Sequence, residues 1–248
     1  MSQLFYHLPK PKRGLIGHRG ASGLAPENTL LSFKKAADLG LNWVEFDIQQ
    51  CASGEWIVFH DETLERTTNG HGLVMDTPFE VIQNLEAGAW FHPQYKGARI
   101  PLLSETLIYL RELKIHPNIE IKTFHHDKLQ QMQNFIKHLN TYWPSTFPPP
   151  LVSSFDIEIL DILRQLTKTI PLGLNIDTLS QQNILETKAH HFNSLHCQHQ
   201  KITTIDLAFA HKAGLPILTY TVNQPEEIKM LLKSGITAIF SDLTNDNF

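Results

Sequence analysis

The sequence predicts a (β/α)₈ barrel of the TIM type, with an insertion after the second strand. Short apolar runs that are typical of strands alternate with helical patterns, and this alternation indicates a parallel sheet. Eight such units in 248 residues favour a closed barrel, which takes about 250 residues, over an open doubly wound sheet. The chain also lacks the GxGxxG motif of dinucleotide-binding open sheets. We therefore expect one barrel domain over residues 1–248.

The strands and helices follow one another in chain order. The first helix has Leu30, Phe33 and Ala37 at helical spacing and Gly40 at its end. Barrel strands are predicted at residues 15–17, 43–49, 118–122, 151–155, 171–176, 194–197, 216–222 and 238–241. Seven helices are expected between them, and six have clear bounds, at residues 29–39, 104–113, 128–139, 157–166, 204–213 and 225–233.

Residues 51–99 interrupt the alternation and are too long for a simple connection between a strand and a helix. They contain a short strand at residues 56–60, a turn-rich stretch, and the aromatic pair Trp90 and Phe91. We interpret them as an insertion at the mouth of the barrel, where long ordered segments are commonly functional. Trp90 and Phe91 either line a groove for a ligand or pack the core of the insertion, and we favour core packing.

The composition is that of an ordinary globular protein, with 42% hydrophobic and 19% charged residues. A formal net charge of −4 argues against the broad basic surface that nucleic-acid binding needs. Cys51 and Cys197 lie far apart, and neither a signal-peptide pattern nor an apolar run long enough to span a membrane occurs. We therefore expect a cytoplasmic protein without a transmembrane segment, and the sequence gives no indication of its oligomeric state.

Two predicted strands carry charged residues on one face. Glu45 and Asp47 are two positions apart, as are Glu120 and Lys122, and this spacing places each pair on the same side of its strand. Charges that face the interior of a barrel must be compensated, because an unpaired buried ion costs several kcal/mol. A divalent cation held by Glu45, Asp47 and Glu120 would compensate them, and oxygen ligands suit Mg²⁺ or Ca²⁺ rather than Zn²⁺. The alternative is a metal-free network of salt bridges to Arg19 and Lys122.

Two histidines end predicted strands, at the position where barrel enzymes place their chemistry. His18, followed by Arg19 and Gly20, ends the first strand, and His60 ends the short strand of the insertion. Two imidazoles can act as general base and general acid near neutral pH, and an arginine can bind phosphate oxygens through two parallel hydrogen bonds. Either histidine alone would more often be an exposed residue of a turn, since the chain contains 14.

Three further groups of polar residues have simple structural interpretations. We interpret Asn28 as the N-cap of the first helix. Glu27 either orients Arg19 or His18, or is a carboxylate favoured by the dipole of that helix. The histidines at positions 190–191, 196 and 199 lack the cysteine partners of a zinc site, so we interpret them as residues of a solvated loop.

Several short motifs occur in a fixed order along nearly the whole chain. They are HRG at 18–20, PENT at 26–29, EFD at 45–47, HD at 60–61, LERTTNG at 64–70, AGAWF at 87–91, IP at 100–101, EIK at 120–122, TVN at 221–223 and SD at 241–242. This ordered set resembles the signature of the glycerophosphodiester phosphodiesterase family. HRG alone is a weak signal, whereas the set with its spacings is specific.

The resemblance implies a TIM-type barrel that hydrolyses small-molecule glycerophosphodiesters to glycerol 3-phosphate and an alcohol. It implies a metal held by Glu45, Asp47 and Glu120, acid–base roles for His18 and His60, and phosphate contacts from Arg19 and Lys122. Tyr220 stands where many relatives have tryptophan, and Ser104-Glu105 where relatives often have an acidic pair, so the preferred alcohol group stays open.

Other functions share parts of this pattern. A phosphomonoesterase, or a phospholipase-type barrel such as a sphingomyelinase-D-like or phosphoinositide-specific enzyme, could use two histidines and a metal. A membrane-binding stripe would favour the lipid-directed enzymes, and the sequence does not show one. A non-catalytic binding barrel would lack a histidine or a carboxylate of the set. A purely structural barrel with an internal network of salt bridges would keep its stability when a chelator is added.

Overall fold

Eight parallel strands form a closed barrel in the computed structural model, which describes residues 10–122 and 127–243. The sheet closes because β1 pairs with both β2 and β9. The strands of the described residues are β1 Leu15–Gly17, β2 Trp43–Gln50, β3 Trp56–Val58, β4 His116–Ile121, β5 Leu151–Ser154, β6 Leu172–Ile176, β7 Ser194–Gln198, β8 Ile217–Tyr220 and β9 Ala238–Ser241. All except β3 belong to the barrel, which confirms the predicted fold class.

Helices connect the barrel strands and cover the outside of the sheet. They are α1 Leu30–Asp38, α2 Phe79–Ile82, α3 Leu103–Glu112, α4 Lys128–Tyr142, α5 Ile157–Leu166, α6 Gln181–Ala189, α7 Thr204–Ala213 and α8 Pro225–Lys233. The short α2 belongs to the insertion, and α6 is the helix whose bounds the sequence pattern does not define. No helix in the described ranges is both long and apolar enough to cross a membrane.

The helix termini follow local sequence chemistry. At α5, the side chain of Asp156 accepts a hydrogen bond from the backbone of Glu158 and caps the first turn. At α1 the cap is Thr29, whose hydroxyl accepts from the backbone N–H of Ser32. The interpretation of Asn28 as this cap is therefore wrong, because Asn28 has a left-handed φ of 56° and lies one residue too early.

Two hydrophobic cores hold the barrel and leave its mouth to polar residues. The larger core lies between the sheet and the helices and contains fully buried residues such as Phe33, Phe46 and Phe135. A smaller core fills the barrel near the amino ends of the strands, with Trp43 and Leu151 among its members. Each such side chain stabilises the fold by about 1.5–3 kcal/mol relative to an exposed position. Apolar packing therefore fixes the strands inside the barrel at their amino ends and on the outer face of the sheet.

The strand β3 is antiparallel to β2, with Val58 opposite Ile48, and it occupies the same edge of β2 as β1 does. After β3 the backbone N–H of Phe59 donates to the carbonyl of Asp47 at 3.0 Å. Because β3 runs back toward the barrel, His60, two residues after its end, reaches the mouth from the insertion rather than from a barrel strand.

The insertion has its own small core, to which Ile57, Phe59 and Leu64 contribute. Trp90 is not part of that core, since it is 40% exposed, and the core-packing interpretation of this residue is wrong. Its ring instead packs edge-on against Phe91 at a centroid distance of 5.6 Å.

Candidate active site

A cavity of about 170 Å³ opens at the carboxyl ends of the barrel strands. Every side chain that the sequence analysis assigned to the site lines it, although the chain separates them by up to about a hundred residues: His18, Arg19, Glu45, Asp47, His60, Glu120 and Lys122. Strands β2 and β4 are neighbours with Asp47 opposite Glu120, which is why the two predicted faces meet.

Three carboxylates converge in this cavity. Glu45 and Asp47 are 3% and 1% exposed, and one oxygen from each of Glu45, Asp47 and Glu120 lies within 4.8 Å of the others. Within residues 10–122 and 127–243 this is the only such group of potential metal ligands. Oε2 of Glu45 accepts the backbone N–H of Arg19 at 2.9 Å, whereas its buried Oε1 has no hydrogen-bond partner among those residues. A buried oxygen without a donor is costly, so the site fits a divalent cation.

Two cations lie beside the carboxylates but do not balance them. Nε of Arg19 is 3.4 Å and Nζ of Lys122 is 3.1 Å from the two oxygens of Asp47, and Lys122 also pairs with Glu120. The metal-free network of salt bridges is thus present, yet three carboxylates face two cations. The excess negative charge is what a divalent cation would compensate.

The pKa values of the two buried carboxylates move in opposite directions. Burial, together with the charges of Asp47 and Glu120, raises the pKa of Glu45 well above its usual value. Burial also opposes ionisation of Asp47, but Lys122 and then Arg19 outweigh it and lower its pKa. In the metal-free protein the two buried carboxyls therefore differ, and Glu45 favours its protonated form far more strongly than Asp47 does.

Asn28 belongs to this cluster rather than to a helix terminus. Its Nδ2 donates to Oδ2 of Asp47 at 2.9 Å, and its Oδ1 accepts the backbone N–H of Asp47 at 3.2 Å. The amide thereby fixes the carboxylate from a second direction. The sequence suggested only the more common role of asparagine beside a helix.

His18 has a carboxylate partner that sequence reasoning missed. Its Nδ1 lies 2.7 Å from Oδ1 of Asp242, which follows β9 at the far end of the chain. Ser22 and Asn223 also donate to Asp242, at 3.0 and 2.7 Å. Burial opposes ionisation of Asp242, but the interactions with His18, Asn223 and Ser22 together outweigh it and lower its pKa to about 2. The SD pair at 241–242 matched the family signature, and that match was the available signal.

His60 has the same arrangement with its own neighbour. Its Nδ1 lies 2.6 Å from Oδ1 of Asp61. Burial opposes ionisation of Asp61, but hydrogen bonds from Arg66 and His60 lower its pKa to about 2. With Nδ1 directed at a carboxylate in both histidines, each neutral imidazole carries its proton there and leaves Nε2 free to accept one.

Arg19 is held by the carboxylate that precedes the first helix. Its NH1 donates to Oε1 of Glu27 at 2.7 Å. Glu27 therefore orients Arg19, which is one of the alternatives that the sequence left open. Burial would raise the pKa of Glu27, but Arg66 and Arg19 lower it, so Glu27 is ionised beside both guanidinium groups.

The barrel interior below the carboxylates is polar, which sequence reasoning did not predict. Asn118, Asn175 and His196 line the cavity from β4, β6 and β7 and are at most 4% exposed. Nε2 of His196 lies 2.9 Å from the hydroxyl of Ser194. The prediction of a solvated loop at His196 is wrong, because the residue lies inside the barrel on a buried strand.

Acid should destabilise the protein through this buried histidine. Burial lowers the pKa of His196 to about 3, so below its usual pKa near 6.5 the unfolded chain binds a proton that the folded chain does not. Stability is therefore lost as the pH falls. From about pH 7.5 to about pH 5 we expect the free energy of unfolding to drop about 2 kcal/mol less in His196→Gln than in the wild type. Urea unfolding at both pH values measures this, and parallel losses in the two proteins would contradict it.

Comparison with known proteins extends over the whole barrel. Residues 18–245 match the profile of the glycerophosphoryl diester phosphodiesterase family. A glycerophosphodiester phosphodiesterase of Caldanaerobacter subterraneus subsp. tengcongensis is 32% identical over 232 residues, which cover 92% of this chain and 93% of that protein. A glycerophosphodiester phosphodiesterase of Bacillus subtilis is 30% identical over 254 residues, with coverages of 95% and 86%.

Solved structures show the same architecture. A phosphodiesterase of Oleispira antarctica, determined in complex with the product sn-glycerol-3-phosphate, superposes with a TM-score of 0.90 at 30% identity, over 96% of this chain and 95% of that one. A glycerophosphodiester phosphodiesterase of Thermotoga maritima gives a TM-score of 0.72 at 24% identity, over 93% and 95% of the two chains. The second likeness shows the fold alone.

Proposed function

The chain belongs to the glycerophosphoryl diester phosphodiesterase family, and from this premise we propose that it hydrolyses glycerophosphodiesters to glycerol 3-phosphate and an alcohol. The observation that carries the proposal is one cavity lined by three convergent carboxylates, two histidines and two cationic side chains. The relative from Oleispira antarctica, which binds sn-glycerol-3-phosphate, supports the substrate class.

Glu45, Asp47 and Glu120 would hold a divalent cation, Mg²⁺ or Ca²⁺ by the chemistry of their oxygen donors. When bound, such a cation supplies Lewis-acid stabilisation of negative charge on a phosphoryl oxygen. Arg19 and Lys122 provide fixed positive charge beside the same carboxylates and line the cavity. They would bind the remaining non-bridging oxygen of the phosphodiester and offset the charge that grows in the transition state.

The two histidines supply the proton transfers. One imidazole accepts the proton of the nucleophile at its Nε2, and the other, as imidazolium, donates a proton to the departing alkoxide. Asp242 and Asp61 keep the rings in the required tautomer, since each accepts from the Nδ1 of its histidine. The carboxylates also stabilise the positive charge that each ring carries while it is protonated.

The first nucleophile is proposed to be the neighbouring hydroxyl of the glycerol group, giving a cyclic phosphate that water then opens. An internal nucleophile is favoured because it reacts as though present at very high concentration. A substrate whose glycerol lacks that hydroxyl should therefore turn over about 10²-fold more slowly or worse. Comparing kcat for the matched pair of diesters tests the route. Equal turnover would exclude it and favour direct attack by water.

Release of glycerol 3-phosphate from glycerophosphocholine and glycerophosphoethanolamine tests the activity itself. The assay is run with Mg²⁺, with Ca²⁺ and with EDTA, and phospholipid vesicles serve as the substrate of a lipid-directed enzyme. Metal-dependent release that EDTA abolishes is the expected result. Folded protein that releases nothing under any metal would contradict the proposal, and turnover confined to vesicles would favour a phospholipase-type activity.

A further inference from the structure

We propose that Arg66 is a positioning residue, which fixes the side chains of His60 and Arg19 relative to each other through the carboxylates Asp61 and Glu27. The proposal rests on the proposed function, because it assigns catalytic importance to His60 and phosphate binding to Arg19. Arg66 does not line the cavity, so it acts through these neighbours rather than on the substrate.

One guanidinium group binds both carboxylates in fork geometry. NH1 and NH2 of Arg66 donate to the two oxygens of Glu27 at 2.9 and 2.8 Å. Nε and NH2 donate to the two oxygens of Asp61 at 2.5 and 2.8 Å. Every nitrogen of the side chain is thus used, and we call this arrangement the Arg66 bridge.

Each carboxylate of the Arg66 bridge also binds a residue of the cavity. Oδ1 of Asp61 lies 2.6 Å from Nδ1 of His60, and Oε1 of Glu27 accepts from NH1 of Arg19 at 2.7 Å. A continuous chain of charge-assisted hydrogen bonds therefore runs from one side of the cavity to the other.

The bridge joins segments that the backbone leaves separate. His60 and Asp61 follow β3 in the insertion, whereas Arg19 and Glu27 lie between β1 and α1. The side chains of Glu27 and Asp61 are only 12% and 21% exposed. Without Arg66, two carboxylates would face each other near the cavity with one fewer cation between them, and each would be free to turn away from its partner.

Lysine cannot replace this residue. An ammonium group is a point donor, whereas the planar guanidinium matches two carboxylates with parallel hydrogen bonds. We therefore expect Arg66→Lys to behave like Arg66→Ala rather than like the wild type. Both should lower kcat by about 10²-fold, because a displacement of about 1 Å at a catalytic group costs that much. KM should change much less, because Lys122 and the three carboxylates Glu45, Asp47 and Glu120 stay in place.

The kinetic test uses Arg66→Ala, Arg66→Lys and the control Arg99→Ala. Arg99 is an exposed arginine of the same insertion that bonds to the carbonyl of Gln83, so its loss should leave kcat unchanged. Added methylguanidinium should restore part of the activity of Arg66→Ala, since the Arg66 side chain is 45% exposed and its site is accessible. Sodium chloride at the same ionic strength should not restore the activity of Arg66→Ala.

A cycle in which Arg66 is removed with and without its two carboxylate acceptors separates positioning from a direct role. In the Glu27→Gln/Asp61→Asn background, where both acceptors of the Arg66 bridge have lost their charge, Arg66→Ala should cause little further loss of kcat. A further loss as large as in the wild type would overturn the proposal, as would a wild-type kcat in Arg66→Ala.

A second readout does not depend on turnover, so failure of this proposal and failure of the proposed function can be told apart. In the ¹H–¹⁵N spectrum of the imidazoles of the metal-free protein, the Nδ1–H signals of His60 and His18 are assigned with His60→Ala and His18→Ala. Arg66→Ala should shift or broaden the His60 signal and leave that of His18 in place. An unchanged His60 signal would overturn the proposal even if the enzyme proved to use another substrate.

Discussion

Replacing either His18 or His60 with alanine should lower kcat by about 10²-fold or more while the protein stays folded. General acid–base catalysis commonly raises the rate by about 10²- to 10⁴-fold. The mechanism requires a proton acceptor and a proton donor, and the two imidazoles line the cavity with Nε2 as the atom for these transfers. Neither ring is part of a hydrophobic core, since the side chains are 21% and 31% exposed. Steady-state kinetics on glycerophosphocholine, with thermal melting as the check on folding, measures the effect.

The control for these variants is His71→Ala, since the His71 side chain is 86% exposed and lies outside the cavity. A leaving group of low pKa, such as p-nitrophenol, needs no proton, so it separates the two roles. The variant that regains turnover on the p-nitrophenyl ester of glycerol phosphate lacks the general acid, and the variant that stays slow lacks the general base. Near-normal kcat in either alanine variant would remove that histidine from the mechanism.

The carboxylate cluster could be predicted from a local periodicity of the sequence. Glu45 and Asp47 lie two apart on β2, and Glu120 lies on β4, so strand geometry alone places them on the inner face. The parallel register then brings the two strands together with Asp47 opposite Glu120. Alternation within each strand was enough to predict that these charged side chains face the barrel interior, where a divalent cation or a network of salt bridges would compensate them.

The parts that were missed depend on contacts between distant segments. Asp242 meets His18 across a separation of 224 residues, and no pattern near either residue indicates the pairing. Asn28 follows the common preference of asparagine for helix termini, yet the φ of 56° directs its amide to Asp47 instead. His196 was misjudged because the barrel interior here accepts polar residues, which a hydrophobic pattern cannot show.

Removing the proposed metal ligand Glu45 should have an effect at least as large. Glu45→Gln should lower kcat by about 10²- to 10³-fold or more, since a bound metal contributes several kcal/mol and each 1.36 kcal/mol is tenfold in rate. Mg²⁺ or Ca²⁺ should raise the melting temperature of the wild type, and the variant should lose this rise. EDTA should reproduce both effects in the wild type. Full activity of the wild type in EDTA would show that the carboxylates serve only the structure.

The raised pKa of Glu45 should affect both the metal affinity and the stability of the metal-free protein, whose stability should not fall in Glu45→Gln. Burial, Asp47 and Glu120 raise the pKa of Glu45 in the folded state, so a proton competes with a metal for this carboxyl up to a higher pH than at an ordinary glutamate. Metal affinity should therefore increase with pH, and calorimetry in buffers of different ionisation enthalpy should detect about one proton released per ion bound.

A group whose pKa rises on folding loses its stabilising contribution as the pH climbs through the folded pKa. Glutamine resembles the protonated carboxyl at every pH, so the metal-free variant should be as stable as the wild type or more stable, most clearly at alkaline pH. A metal-free Glu45→Gln protein that is less stable than the wild type would show that the ionised carboxylate already has its compensation from Arg19 and Lys122, and the case for a cation at this site would then rest on the other two carboxylates.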